Sequence, residues 1–141
     1  MMEIFLQLIL AAFLGGVVGL EREYQKKGAG LRTYTLVSLG AAFFTITAFE
    51  VFNNFPTQAF DPSRIIGQIV LGIGFIGGGL IIHKKLQIQG LTTAAGLWVV
   101  AGIGAAVGAK VYLPAVFVAV LSLVILAGLR KVEKRFFSKD N

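Results

Sequence analysis

IIGQIVLGIGFIGGGLII, Ile65 to Ile82, is eighteen residues without a charge and with six glycines. As a helix, eighteen apolar residues rising 1.5 Å each are about long enough to cross a ~30 Å hydrocarbon core. Soluble helices avoid so much glycine, which costs up to ~1 kcal/mol per residue relative to alanine. In a bilayer the bare backbone becomes useful, because a neighbouring helix can approach closely. The stretch therefore predicts a transmembrane helix with a helix-contacting surface made of Gly72, Gly74, Gly77, Gly78 and Gly79.

Four more uncharged runs flank it: Ile4–Leu20, Thr33–Phe49, Leu86–Ala109 and Val111–Leu129. Apolar residues are 56% of the chain and the mean hydropathy is +0.81, well outside soluble proportions. One buried core helix would explain one run. It does not explain five in a row with almost nothing polar left to cover them. At 141 residues there is room for one compact domain. Ile4–Leu20 has no basic stretch before it and continues through Gly15, Gly16 and Gly19 into Glu21-Arg22-Glu23, so it reads as a retained span and not a cleaved signal. No cysteine is present, which removes disulfides, thiolate metal sites and thiol nucleophiles.

Charge predicts the topology. Eleven of the thirteen basic residues fall in alternate connections: Arg22, Lys26, Lys27 and Arg32; Lys84 and Lys85; then Arg130, Lys131, Lys134, Arg135 and Lys139. The opposite connections hold only Arg64 and Lys110. Basic loops mark the cytoplasmic side, so the N-terminus is expected outside and the C-terminus in the cytoplasm. The pI of 9.9 then needs no nucleic acid as partner. The tight turn at Lys110 makes the last two runs a helical hairpin; a re-entrant fourth segment is the competing topology. Asp61-Pro62 predicts the start of the third helix, and Pro114 fits the first turn of the fifth. The expected architecture is an all-α membrane protein, a compact bundle of about five transmembrane helices. Residues 1–130 form that domain, and 131–141 form a basic cytoplasmic tail whose Phe136 and Phe137 dip into the interface.

Glycines four residues apart recur at Gly15–Gly19, Gly74–Gly78 and Gly104–Gly108. They predict close helix crossings within the bundle, or a homodimer face. Trp98 is expected to pack with them. Gly72 to Gly79 is not a phosphate loop, since no Gly-Lys-Ser/Thr follows and no strand precedes.

Enzyme chemistry has little to stand on. Glu3, Glu21, Glu50 and Asp61 all lie at span ends, where a proton-driven transporter would carry an acid at mid-membrane. His83, the single histidine, sits at a span edge, and no Ser–His–Asp or HExxH grouping occurs. The topology does bring Glu21-Arg22-Glu23, Gly30-Leu31-Arg32-Thr33 and Gly90-Leu91-Thr92-Thr93 to one membrane face. Thr92 and Thr93 are placed to cap the fourth helix, whose N-terminal dipole favours an anion, and Arg32 to pair with Glu21 or Glu23. Read plainly, these are ion-paired helix ends; read sharply, they form a polar pocket for an ion, a headgroup or a partner protein. Asp61, Arg64 and Gln68 make a smaller group on the opposite face.

GLERE at Gly19–Glu23, GLRTYTLVSLGAA at Gly30–Ala42, DPSR at Asp61–Arg64, GIGFIGGGLI at Gly72–Ile81 and GLTTAAGLWVVAGIGAAVG at Gly90–Gly108 together resemble the MgtC/SapB family. The resemblance covers most of residues 15–110. It implies a multi-pass protein of the bacterial inner membrane, linked to survival at low magnesium and, in pathogens, to virulence. It further implies a regulator of other membrane proteins, such as an ATP synthase or transporter, although many members carry magnesium-transport labels. The family's polar positions map onto Glu21, Arg22, Arg32, Thr33, Asp61, Arg64, Thr92, Thr93 and Trp98. The virulence members have asparagine where Thr92 stands, and many append a soluble domain after the last helix, so this chain reads as a short form.

Three functions follow as expectations: a regulator in magnesium homeostasis and stress, a carrier of magnesium or another cation, and a lipid-binding structural module. No cofactor is expected. Mg²⁺ is kept as the one candidate ion, with Glu21, Glu23 and Asp61 as its oxygen ligands.

Overall fold

The structure is a computed structural model that describes residues 1–54, 61–84 and 87–136, with the side chains of Lys84 and Lys134 excepted. Lys85, Leu86, Phe137 and Lys139, used above as markers of topology and interface, lie outside the described residues. Helix α1 runs Met2–Tyr24, α2 Leu31–Asn54, α3 Pro62–Leu80, α4 Leu91–Gly108 and α5 Tyr112–Val124. A π-turn at Ile125–Leu129 then joins α5 to α6, Arg130–Phe136. Five helices, the last counted from Tyr112 to Glu133, are long and apolar enough to cross a membrane.

Helix α4 lies at the centre and touches α1, α2, α3 and α5. It is apolar all round, which suits a helix surrounded by others. Leu97, Val100, Ile103 and Val107 are fully buried there with Val18 of α1 and Tyr34 of α2. Glycine makes this closeness feasible. A Cβ at Gly15 would sit 2.8 Å from the Tyr34 carbonyl oxygen, and one at Gly108 would sit 2.7 Å from that of Ala42. A Cβ at Gly104 would run into the Ser38 carbonyl.

The third helix starts where the sequence predicts and ends earlier. Asp61 caps α3, and Pro62 occupies its first position, as expected. The helix stops at Leu80 because Ile81 is extended (φ −85°, ψ 112°). The chain then makes a two-stranded antiparallel hairpin, β1 Ile82–Lys84 against β2 Gln87–Gln89, with His83 opposite Ile88. The fourth apolar run opens at Leu86, and Gln89-Gly90 marks the break before its helix, as the sequence predicts. Its helix begins at Leu91, since Gln87-Ile88-Gln89 alternates at the strand period and Gly90 takes a left-handed φ of 91°. A Cβ at Gly90 would also strike the Leu80 carbonyl.

The ends sort as the charge pattern requires. Lys110 Nζ contacts Glu3 Oε1 at 2.9 Å, tying the start of α1 to the α4–α5 turn. This pair was not foreseen; its partners are 107 positions apart. The α1–α2 loop, the hairpin, the start of α4 and the start of α6 share the other end, around one cavity. Helix α4 runs unbroken from Leu91 to Gly108, without the break that a re-entrant fourth segment would need. The tail from Arg130 is a continuation of the last helix through the π-turn, and Phe136 is exposed.

Two packing expectations are corrected. Among the described residues Gly72, Gly74, Gly78 and Gly79 have nothing within 4 Å of a built Cβ, while Gly77 meets Ala94 at 3.4 Å. The α3 glycines thus face out of this chain, the helical period turning most of them away from α4. Trp98 is 55% exposed on the outer side of α4, because Leu97 and Val100 take the inward positions.

Candidate functional site

The polar end of the bundle is built by the last turn of α1, the first turn of α2 and the start of α4. Helix α1 extends past the apolar run to Tyr24, so Glu21, Arg22 and Glu23 ride on a helix and not in a loop. The 100° step between residues separates their fates. Arg22 points inward and its side chain is only 4% exposed. Glu21 is 11% exposed, with Oε2 at 3.5 Å from Arg22 Nη1. Both Glu21 carboxylate oxygens and Arg22 Nε are buried without a hydrogen-bond partner among the described residues. Glu23 is exposed, and its Oε2 accepts the Leu31 N–H at 3.0 Å, closing the start of α2. That contact needs Gly30, where a Cβ would strike the same carboxylate.

The expected pairing of Arg32 with Glu21 or Glu23 is not formed. Arg32 is exposed, Glu21 pairs with its neighbour Arg22, and Glu23 is taken by the α2 backbone. Thr33 is half-buried one position on. The capping expectation for Thr92 and Thr93 also fails. Gly90 is the N-cap, with no side-chain cap hydrogen bond. Thr93 is buried, and its carbonyl accepts from the Tyr34 hydroxyl at 3.1 Å; Thr92 is exposed on the cavity wall. The cavity has a volume of ≈ 1020 Å³ and is lined by Arg22, Lys26, Lys27, Thr92, Arg130 and Glu133 among others.

Asp61 and Arg64 belong to the opposite end of the bundle. Asp61 accepts from Ser63 N at 2.9 Å and from Ser63 Oγ at 2.8 Å. The Ser63 hydroxyl, then its N–H, holds the Asp61 carboxyl below the usual carboxylate range. Arg64 and Gln68 are exposed. At the same end, the hydrogen bond from Lys110 to Glu3 raises the lysine's pKa above its ordinary value. The three carboxylates proposed as Mg²⁺ ligands are thereby divided: Glu21 and Glu23 at one end, Asp61 about a bilayer away. Among the described residues no three of His, Asp and Glu gather into a metal-sized group.

Buried polar side chains inside the bundle were missed. Gln7 Nε2 donates to the Val107 carbonyl at 2.9 Å and to that of Gly108 at 3.2 Å. Ser38 Oγ donates to the Ala11 carbonyl at 2.7 Å. Gln7 stands alone in the apolar run Ile4–Leu20, a signal available in the sequence, since a lone polar group in hydrocarbon must find a partner.

A family model described as the MgtC family matches residues 8–135. YhiD of Escherichia coli K12, named provisionally as a magnesium transporter, is 40% identical over 141 residues, covering 98% of this chain and 66% of YhiD. An uncharacterised protein of Synechocystis is 42% identical over 131 residues, 93% of this chain and 54% of that one. The protein MgtC of Salmonella typhimurium LT2 is 43% identical over 108 residues, 77% of this chain and 44% of its own length. The chain thus spans between 44% and 66% of the length of these relatives. No solved structure matches it.

Proposed function

The chain belongs to the MgtC family, and from that membership we propose that it is a multi-pass protein of the bacterial inner membrane that serves magnesium homeostasis and low-magnesium stress by regulating other membrane proteins. The observation that carries this reading is the open face of α3. A Cβ at Gly72, Gly74, Gly78 or Gly79 would meet nothing within 4 Å among the described residues, and Phe75 between them is 86% exposed. A glycine-rich helix face costs propensity and is repaid by a close helix–helix contact. The contact that fits is a helix of another membrane protein, or the same face of a second copy in a homodimer. The N-terminus lies outside and the C-terminus in the cytoplasm on this reading, because the basic connections share one end.

The test is co-purification in mild detergent from membranes of cells grown at low magnesium. The native chain is expected to bring down a membrane protein or a second copy. A Gly74→Leu, Gly78→Leu variant that is still folded is expected to lose it. Retention of the same associate by the variant would overturn the regulator reading.

Magnesium transport is the second reading, favoured by the name of the YhiD relative. The buried Glu21 carboxylate, which accepts no hydrogen bond among the described residues and has only the Arg22 guanidinium beside it, is its best candidate ligand. Saturable Mg²⁺ flux into proteoliposomes, reduced by Glu21→Gln and Asp61→Asn, would establish it. No flux from folded protein would leave regulation.

A further inference from the structure

The cavity at the basic end has a chemical bias that neither reading above requires. Among the described residues its wall carries four cationic side chains, Arg22, Lys26, Lys27 and Arg130, against one carboxylate, Glu133, with the Glu21 carboxylate behind Arg22. Helix α4 opens onto it through Gly90, Leu91, Thr92 and Thr93. That helix of eighteen residues has no side-chain cap. The N–H groups of Leu91, Thr92 and Thr93 find no acceptor among the described residues, the first backbone bond being Ala94 N to Gly90 O at 2.8 Å. Such an end carries about half a positive charge and exposed donors.

Arg22 supplies the independent sign. Its side chain is 4% exposed, lines the cavity, and keeps Nε buried without a partner. Its contact with Glu21 engages Nη1 of the guanidinium fork at 3.5 Å, and Nε has no hydrogen-bond partner among the described residues. Burying an arginine with an idle donor is costly unless a ligand completes it. A group with several acceptor oxygens and a double negative charge matches this fork, the lysines and the α4 amides together, which describes a phosphate. The same wall turns apolar along Ile125, Leu126 and Leu129, continuous with the outer face of the last helix.

We propose that this cavity binds a phosphate-bearing anion, held by Arg22, Lys27 and Arg130 over the uncapped first turn of α4. The phosphate is that of an anionic phospholipid headgroup or of a small soluble species, and the experiment separates the two. The purified chain is placed in phosphatidylcholine nanodiscs and titrated with inorganic phosphate. In parallel, discs containing phosphatidylglycerol are examined by native mass spectrometry for retained lipid. Arg22→Gln is expected to weaken binding roughly tenfold, and Lys27→Gln with Arg130→Gln to weaken it by about as much again. The second variant alters the cavity rim alone and serves if Arg22→Gln fails to fold. Lys131→Gln with Arg135→Gln, outside the cavity wall, is the control and is expected to bind as the native chain does. Binding in the phosphate arm assigns a soluble ligand, and binding in the phosphatidylglycerol arm alone assigns a headgroup. No binding in either arm, or equal loss in the control, would overturn the proposal.

Discussion

Two glycine faces of this molecule have the same composition and opposite surroundings. On α1 and α4, Gly15, Gly19, Gly104 and Gly108 meet α2 so closely that a Cβ would reach its backbone or Cβ atoms. On α3, a Cβ at Gly72, Gly74, Gly78 or Gly79 would meet nothing within 4 Å among the described residues. Four-residue spacing is identical in both, so spacing announces a contact surface without saying whose. What separates them is position in the bundle. Helix α4 is enclosed by four neighbours, whereas α3 contacts α4 and α2 along one side.

The largest effect should come from breaking the enclosed face. Gly104→Ala drives a methyl into the Ser38 carbonyl, which belongs to a helix backbone that cannot yield cheaply. A loss of about 3 kcal/mol or more is expected in thermal unfolding in detergent. Gly74→Ala, its counterpart on α3, should change stability by less than about 0.5 kcal/mol, or raise it slightly through helix propensity. Equal losses would erase the distinction between the faces.

A middle-sized effect should come from the polar pins that hold the enclosed face in register. Gln7→Leu removes both bonds to the end of α4, and Tyr34→Phe removes the bond to Thr93. Each is expected to cost about 1 kcal/mol in the same unfolding measurement. A gain in stability for either would show that these contacts do not pin the helices.

The smallest effects belong to the solvent-exposed ends. Asp61→Ala should fray the first turn of α3 and speed amide exchange at Ser63, without unfolding the enclosed helices. The Asp61 carboxyl has a lowered pKa in the folded chain, so its cap is fully present above the ordinary carboxylate value. It is lost as pH falls through the lowered one. Protection of the Ser63 amide, relative to its intrinsic exchange rate at each pH, should therefore be unchanged from neutrality down to pH ~4 and fall only in stronger acid. Glu3→Gln, which breaks an exposed pair with Lys110, should leave the unfolding temperature where it was.

How far the sequence carried differs between the same regions. The five apolar runs, the cap at Asp61 and the turn at Lys110 were legible because each rests on a local rule of hydropathy, capping or chain geometry. The hairpin was hidden inside apolar runs, since Ile81, Ile82 and Ile88 serve a strand as well as a helix. Burial of Arg22 was hidden too: a charge at a helix end is ordinarily solvated, and only the docking of α1 against its neighbours encloses it. Trp98 was placed indoors, and the α3 glycines were left between an internal crossing and a dimer face, because periodicity marks a face without telling whether that face meets this chain or another molecule.

The central claim is that the α3 face is completed by another membrane helix while the enclosed face is complete by itself. A photo-crosslinking residue at Phe75 on α3, compared with one at Phe117 on α5 in intact membranes, tests it most directly. Both phenylalanines are exposed, at 86% and 64%. The account predicts discrete protein adducts from position 75 and lipid adducts alone from position 117. Lipid adducts alone from both, or the same protein adducts from both, would contradict it.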